Sequence, residues 1–452
     1  MLLGATRSKA AEMLTSGELK VTVIGMGKMG IPLALVFASK GAFVYGVDID
    51  ERKVELLNKG VNPIPWEPGV SELLSKALAY GKFKATTDCI YAVRNSDLII
   101  VIVPVTASEK GVDTSMMNKA MECIGSGLRR GSIVVTETTL PPGTTESYIS
   151  LLEKLSGLKA GVDFGIAHAP ERTMSGRVIR DITESYPKII GAINDSTLEP
   201  LIGIYSTINK KGVIPVSNIR VAEATKVFEG VYRDVNIALA NELAVYGEIA
   251  GFDAIEAINA ANTQPYCNIL KPGAGVGGHC IPVYPWFLIH NGLGFSSLTA
   301  LARRVNSRMP RHIVKLTVKA LNLAGRATSR SRVIVLGLSY RGGVKEYMNT
   351  PAIPIARELE EWGCTVEVDD PLYSGDEISR LGLKPFNKSF KNADAVVIAT
   401  DHKCYRELDL EKLAHELRTR VLVDGRLIFY RDGRIRKFFY AAPGIGVIKP
   451  AE

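Results

Sequence analysis

"KVTVIGMGKMGIPLALVFASKGAFVYGVDID", residues 20–50, opens on a β-branched run that ends at Gly25, Gly27 and Gly30, then takes up helical periodicity. A second apolar run follows and ends in Asp48. The order is strand, glycine turn, helix, strand, acid. A lone G-x-G-x-x-G says little, but in this setting each part has a task. Glycine lets the backbone approach a pyrophosphate, the helix N-terminus attracts its charge, and a carboxylate about ~20 residues on accepts from a free ribose diol. Asp48 therefore favours NAD over NADP, and Gly25, Gly27, Lys28, Met29, Gly30, Asp48 and Lys53 are the candidate cofactor residues.

Working outward, "SDLIIVIVPV" (96–105) and "GSIVVTETTLPPGTT" (131–145) carry further strands alternating with helical stretches, as a doubly wound parallel sheet requires. Ligands to such sheets collect at the carboxyl ends of strands, where Thr106, Glu137 and Thr139 fall. Residues 218–251 then read as one long helix: Ala224, Phe228, Val231, Val235 and Ala238 follow three-and-four spacing, and Gly251 is placed to stop it. Such a helix suits a bridge between domains or subunits. Glu223, Lys226, Glu229 and Arg233 on its polar side read as a solvated face. After the polar linker "RATSRS" (326–331), "RVIVLGLSYRGG" restarts the opening order of elements without G-x-G-x-x-G, which predicts a second α/β domain with a different way of holding its ligand.

The 452 residues exceed what one core sustains, so several domains are expected. The longest apolar strings are strand-length, and the first 20 residues lack the pattern of a signal peptide, so the reading is a cytoplasmic protein without membrane spans. The net charge of +8 suits an anionic ligand, but the cations are dispersed among acids and no nucleic-acid motif is present. Six scattered cysteines form no C-x-x-C pair, which disfavours a disulfide framework and a zinc site alike.

"GAGVGGHCIPVYPW" (273–286) sets four glycines in six positions ahead of His279 and Cys280. Consecutive glycines let backbone N–H groups close around an anion or sugar. Cys280 alone reads as a small buried apolar residue; beside His279, which lacks partners at metal-ligand spacing, it also reads as a nucleophile whose thiol the imidazole activates or orients.

Taken together, "GMGKMG", "ETTLPPGTT", "APER", "YRDVNIALANELA" and "GAGVGGHCIP" resemble the NAD-dependent nucleotide-sugar 6-dehydrogenases over residues 20–440. That resemblance implies an α/β chain of three parts: an N-terminal Rossmann NAD-binding domain (1–217, with 1–18 an extension), a central helical dimerisation region carrying the cysteine loop (218–325), and a C-terminal Rossmann-like UDP-binding domain (326–452). It implies oxidation of the C6 hydroxyl of a UDP-sugar to a carboxylate in two NAD-dependent steps, in the service of polysaccharide biosynthesis. Carried over by motif, Cys280 forms the thiohemiacetal and thioester, Lys226 steadies the oxyanion, Glu171 activates water and Thr139 helps hold it. Lys271, Gly273, Gly275 and Gly277 cradle the substrate, Tyr340 and Arg341 reach the nucleotide, and Arg426 matches a family arginine at the substrate site.

"GGHC" and "APER" resemble the enzymes of UDP-N-acetylhexosamines, which puts UDP-N-acetylmannosamine first, ahead of UDP-N-acetylglucosamine and UDP-glucose. The chain departs from the family pattern at Gly230 (asparagine elsewhere), Tyr284 (aspartate), Met348 (arginine) and Tyr266 (arginine in many acetamido-sugar members). Those departures are the argument for the rival class, a non-catalytic nucleotide-binding regulator. A hydroxyacid dehydrogenase of the 6-phosphogluconate type has no need of a cysteine or a second α/β domain.

Overall fold

β1 (Lys20–Ile24) is buried along all but its first residue, because both faces of its sheet are covered. The computed structural model describes residues 1–290, 294 and 297–451. They form two compact units, one holding Met1–Glu229 and the other Gly230–Ile289 together with the C-terminal part of the chain. This division falls inside the long helix, where the sequence reading set boundaries at 217/218 and 325/326.

In the first unit, β2 (Phe43–Val47), β3 (Phe83–Thr86), β4 (Leu98–Val101), β7 (Ile133–Thr136), β8 (Gly165–His168), β9 (Lys188–Ala192) and β10 (Val213–Pro215) join β1 in the order β10-β9-β8-β7-β4-β1-β2-β3. All neighbours are parallel except β8 and β9. The switch point, where the strand order reverses, lies between β1 and β4, beside the glycine turn. Period-two alternation sends Leu98, Ile100, Ile133 and Val135 into one apolar layer and Ile99, Val101 and Val134 into the other. The helix Gly30–Ser39 is apolar on every side, and its residues up to Ala38 are buried. Beyond β4, a two-stranded hairpin, β5 (Thr106–Ser108) and β6 (Gly111–Asp113), carries Thr106.

Against the expectation of unpaired cysteines, Cys89 and Cys123 are joined in a disulfide. Each sits on its own helix, Cys89–Arg94 and Ser115–Gly127, and 34 residues of sequence separate them, so no short motif announces the pair.

The second unit begins within the helix Ile219–Ala250 and includes the helix Ser297–Leu323. Its sheet contains β11 (Arg332–Leu336), β12 (Thr365–Asp369), β13 (Ala395–Ile398), β14 (Val421–Asp424), β15 (Phe439–Ala442) and β16 (Gly446–Ile448), ordered β12-β11-β13-β14-β15-β16. Only the last pair is antiparallel. Val333, Val335 and Val397 face one core and Ile334, Leu336 and Val396 the other, as a sheet covered on both faces demands.

Candidate active site

The glycine turn of the first unit is built by steric exclusion. A Cβ on Gly25, whose φ is +104°, would lie 2.6 Å from the Ile102 carbonyl oxygen, and one on Gly30 would lie 1.8 Å from that of Gly25. Gly27, between them, meets nothing within 4 Å, so its side is open for a ligand to approach. Met29 caps the helix Gly30–Ser39 without a side-chain bond; Ile31 N–H donates to the Gly27 carbonyl and Pro32 has no N–H, so this end attracts a phosphate mainly through the helix dipole. At the tip of β2, Asp48 accepts from the Met26 N–H at 2.9 Å and the Asp50 N–H at 3.0 Å, and pairs with Lys53 Nζ at 2.9 Å. The carboxylate is thereby fixed beside the turn, where a ribose diol would meet it; the residues present fit a dinucleotide. Thr106 is exposed on its hairpin. Glu137 is buried, its carboxylate engaged by Lys188 Nζ at 2.7 Å and the Tyr205 hydroxyl at 2.5 Å, and it lines a cavity shared with Glu171 and Arg172.

Three residues of the long helix organise the rest of this unit. Glu223, fully buried, accepts from the N–H groups of Gly143 (2.5 Å) and Thr145 (2.8 Å), which anchors the "ETTLPPGTT" loop that carries Thr139. Burial pushes its carboxyl up, to about 6. Glu229 pairs with Arg172 at 2.7 Å, which anchors the "APER" loop that carries Glu171. Lys226, only 7% exposed, stands midway between these anchors on the same helix face. The Glu171 carboxylate accepts from the Thr173 N–H within its own loop. The expected solvated face is thus corrected for Glu223 and Lys226, which are interior. The outward side carries Val221, Phe228, Tyr232, Leu239, Tyr246 and Ile249, each at least 40% exposed. The helix thus buries Glu223, Lys226, Asp234 and Asn241 among its apolar contacts and leaves a row of apolar side chains exposed.

In the second unit the glycine stretch lies against the carboxyl ends of β11 and β14. Gly273 N–H donates to Asn241 Oδ1 and Ala274 N–H to the Gly425 carbonyl, both at 2.9 Å. Gly278, at φ +94°, donates to the Met348 carbonyl, and Asn349 Nδ2 donates back to the Gly278 carbonyl. A Cβ on Gly277 would sit 2.5 Å from that of Tyr340, so the loop closes on this tyrosine only because it lacks side chains there. Lys271 is exposed and Gly275 partly so; Arg341 is half-buried after β11, and Arg426, after β14, lies 3.6 Å from Asp401. The candidate nucleotide residues therefore share one sheet edge, the ligand-binding edge of open α/β sheets.

Cys280 is half-buried, and the imidazole beside it is engaged: His279 Nδ1 lies 2.7 Å from Glu346 Oε1. Hydrogen bonds to Cys280 and then to Glu346 raise the imidazolium's pKa to about 10. Glu346 carried no sequence signal, since it lies 67 positions from His279. Also unsignalled is a buried network behind the glycine loop. Arg303 lies 3.3 Å from Asp234; Asn306 donates to Asp234 at 2.8 Å and accepts from Asn241 at 2.9 Å, and Asn241 holds Gly273. Tyr284 is buried, and a Cβ on Gly230 would fall 2.5 Å from its ring. The two departures from the family pattern are therefore in contact. Met348 and Tyr266 have exposed side chains.

Residues 19–209 match the NAD binding domain of the UDP-glucose/GDP-mannose dehydrogenase family, 220–308 its central domain and 334–431 its UDP binding domain. The UDP-N-acetyl-D-mannosamine dehydrogenase of Pyrococcus horikoshii is 37% identical over 91% of this chain and 96% of its own. A solved structure of the UDP-D-ManNAc dehydrogenase from that organism superposes with TM-score 0.87 at 35% identity, covering 95% of this chain and all of the other. The NDP-N-acetyl-D-galactosaminuronic acid dehydrogenase of Methanosarcina mazei gives TM-score 0.83 at 32% identity over 96% of this chain and 98% of that one. With the glycine turn, the fixed Asp48 and the second nucleotide-binding sheet edge already described, these matches place the chain in the UDP-glucose/GDP-mannose dehydrogenase family, as an NAD-dependent nucleotide-sugar dehydrogenase.

Proposed function

We propose that the chain oxidises UDP-N-acetyl-D-mannosamine at C6 to UDP-N-acetyl-D-mannosaminuronate. The substrate follows from the names of the relatives that match almost end to end. NAD, when bound along the glycine turn and Asp48, accepts the hydride at each oxidation. The Cys280 sulfur captures the C6 aldehyde, so the intermediate stays bound between oxidations instead of dissociating or hydrating. Lys226 supplies a fixed positive charge to the oxyanion, worth more in a desolvated site than in water. Glu171 takes the proton of the water that opens the thioester, and Thr139 orients that water.

The observation that carries these roles is the burial of Lys226 between the two carboxylates that anchor the Thr139 and Glu171 loops. A charge held in so dry a place acts on a neighbouring oxyanion more strongly than one in water. The test is NADH formed per sugar with UDP-N-acetylmannosamine, UDP-N-acetylglucosamine, UDP-N-acetylgalactosamine and UDP-glucose. Two NADH per UDP-N-acetylmannosamine, and none from Cys280→Ala, are expected; one per sugar, or an active Cys280→Ala variant, overturns the thioester route.

The outward apolar stripe of the helix Ile219–Ala250 supports a homodimer. Val221, Phe228, Tyr232, Leu239, Tyr246 and Ile249 recur at the near-3.5-residue spacing by which helices pack along a seam, and a monomer leaves all six in water. A cytoplasmic place fits the demand for NAD, and among the described residues no helix is long and apolar enough to cross a membrane.

A further inference from the structure

We infer that His279 and Glu346 hold Cys280 as the thiolate, as positioning residues for the sulfur nucleophile; this rests on the reading of Cys280 given above. The three side chains form a carboxylate–imidazole–thiol sequence within the second unit. Glu346 Oε1 lies 2.7 Å from His279 Nδ1, and the imidazole hydrogen-bonds Cys280, its neighbour in the chain. Adjacent residues in a strand would point apart; the left-handed backbone at Gly278 starts the turn that lets these two meet.

The Glu346 loop has little freedom to leave. Tyr340 N–H donates to the Glu346 carbonyl at 2.9 Å, Gly278 N–H to the Met348 carbonyl at 2.8 Å, and Asn349 Nδ2 to the Gly278 carbonyl at 2.9 Å. Two of those bonds grip the residue just before His279, so carboxylate and imidazole are registered by backbone. The surrounding charge favours an anionic sulfur. The Tyr340 phenol stands among Arg341, Glu346, Cys280 and Arg233, and two of these four are cations. The thiol on one side and the carboxylate on the other outweigh burial, which pulls the opposite way, and keep the imidazolium protonated across the neutral range.

The step balances without an outside reagent. Before substrate arrives, the sulfur proton already sits on the imidazole, as a thiolate–imidazolium pair. The sulfur electron pair forms the C–S bond to the aldehyde carbon, the carbonyl π pair becomes the alkoxide, and the transferred proton stays on His279. When the thioester opens, the C–S bond breaks toward sulfur, and the imidazolium stabilises the departing thiolate.

The test is the pH dependence of Cys280 alkylation by iodoacetamide in the full-length protein. Peptide mass spectrometry separates it from Cys267, Cys364 and Cys404, which likewise lie outside the disulfide. In the wild type the rate should stay near its plateau down to pH ~6.5, well below the ~8.5 midpoint of an ordinary thiol. His279→Gln should lose at least about tenfold at that pH and regain the plateau only near the ordinary midpoint, since one pKa unit is tenfold in thiolate. Glu346→Gln, which keeps the side-chain shape and guards against a folding defect, should shift the midpoint in the same direction by less. Wild-type profiles in both variants overturn the inference. NADH formation by Cys280→Ala is scored separately: activity there overturns the nucleophile itself, whereas an inactive Cys280→Ala with unshifted His279→Gln and Glu346→Gln profiles removes only the role of the pair.

Discussion

Arg303→Met should destabilise the second unit and loosen its glycine loop together. The guanidinium on the helix Ser297–Leu323 lies 3.3 Å from Asp234, and the two side chains are 5% and 0% exposed. Removing one partner of so dry a pair leaves a buried carboxylate uncompensated, a cost of about 3–5 kcal/mol. In a unit of roughly 220 residues that corresponds to a melting temperature lower by about 6–11 °C. Burial already pushes Asp234 up to about 6, above its unfolded value, and loss of the cation pushes it further. A carboxyl raised on folding binds its proton more tightly in the native state, so the deficit should be largest at pH 8 and shrink as pH falls through about 6. The strain passes through Asn306 and Asn241 to Gly273, so KM for the UDP-sugar should rise with it. Asp234→Leu/Arg303→Met, which removes both charges, should recover at least half of the lost stability. The assays are circular-dichroism melts at pH 5.5 and 8 and initial rates. A single variant melting within ~2 °C of wild type at pH 8, or a double variant no better than the single, refutes the reasoning.

Asp48→Ala removes the carboxylate that fixes the Met26 N–H, and KM for NAD should rise about 10- to 100-fold, the worth of one or two charge-assisted hydrogen bonds; unchanged KM places the ribose elsewhere. Cys89→Ala opens a loop of 34 residues, which costs about 3–4 kcal/mol by closure entropy, and a melt that reductant leaves unmoved would remove the disulfide from the account. Leu239→Glu/Tyr246→Glu puts charge into the outward stripe, and sedimentation should show monomers; dimers of unchanged affinity would locate the interface on another face. The folded pKa of His279, near 10, is raised above its unfolded value, so its stabilisation is complete below pH ~6.5 and is lost as pH rises through about 10. An imidazole resonance titrating near 6.5 would contradict this.

What the sequence discloses is what lies close along the chain. Strand, turn, helix and Asp48 occupy some thirty consecutive positions, and their order alone predicts the first sheet and its cofactor edge. The second sheet is legible because it repeats that order. Partners far apart are not. Nothing near His279 points to Glu346, and nothing near Cys89 points to Cys123; tertiary structure supplies both pairings. Glu137, at a strand's carboxyl end, reads as a ligand, and nothing near it in sequence points to Lys188 and Tyr205, which engage its carboxylate. Helical periodicity separates two faces of the helix Ile219–Ala250 but cannot say which one is interior. Glu223 is buried where it anchors the loop at Gly143 and Thr145, Lys226 is buried one turn on, and Phe228 and Tyr246 face out.

Gly230 and Tyr284 also constrain the history of the sequence. Starting from the asparagine and aspartate usual in the family, a tyrosine arriving first at 284 would collide with whatever side chain stood at 230, since even a Cβ falls 2.5 Å from the ring. A glycine arriving first at 230 leaves only a gap beside the helix, which the ring can later fill. The permitted order is glycine, then tyrosine. Relatives caught midway should therefore carry glycine with aspartate, and the opposite combination should be missing from the lineage.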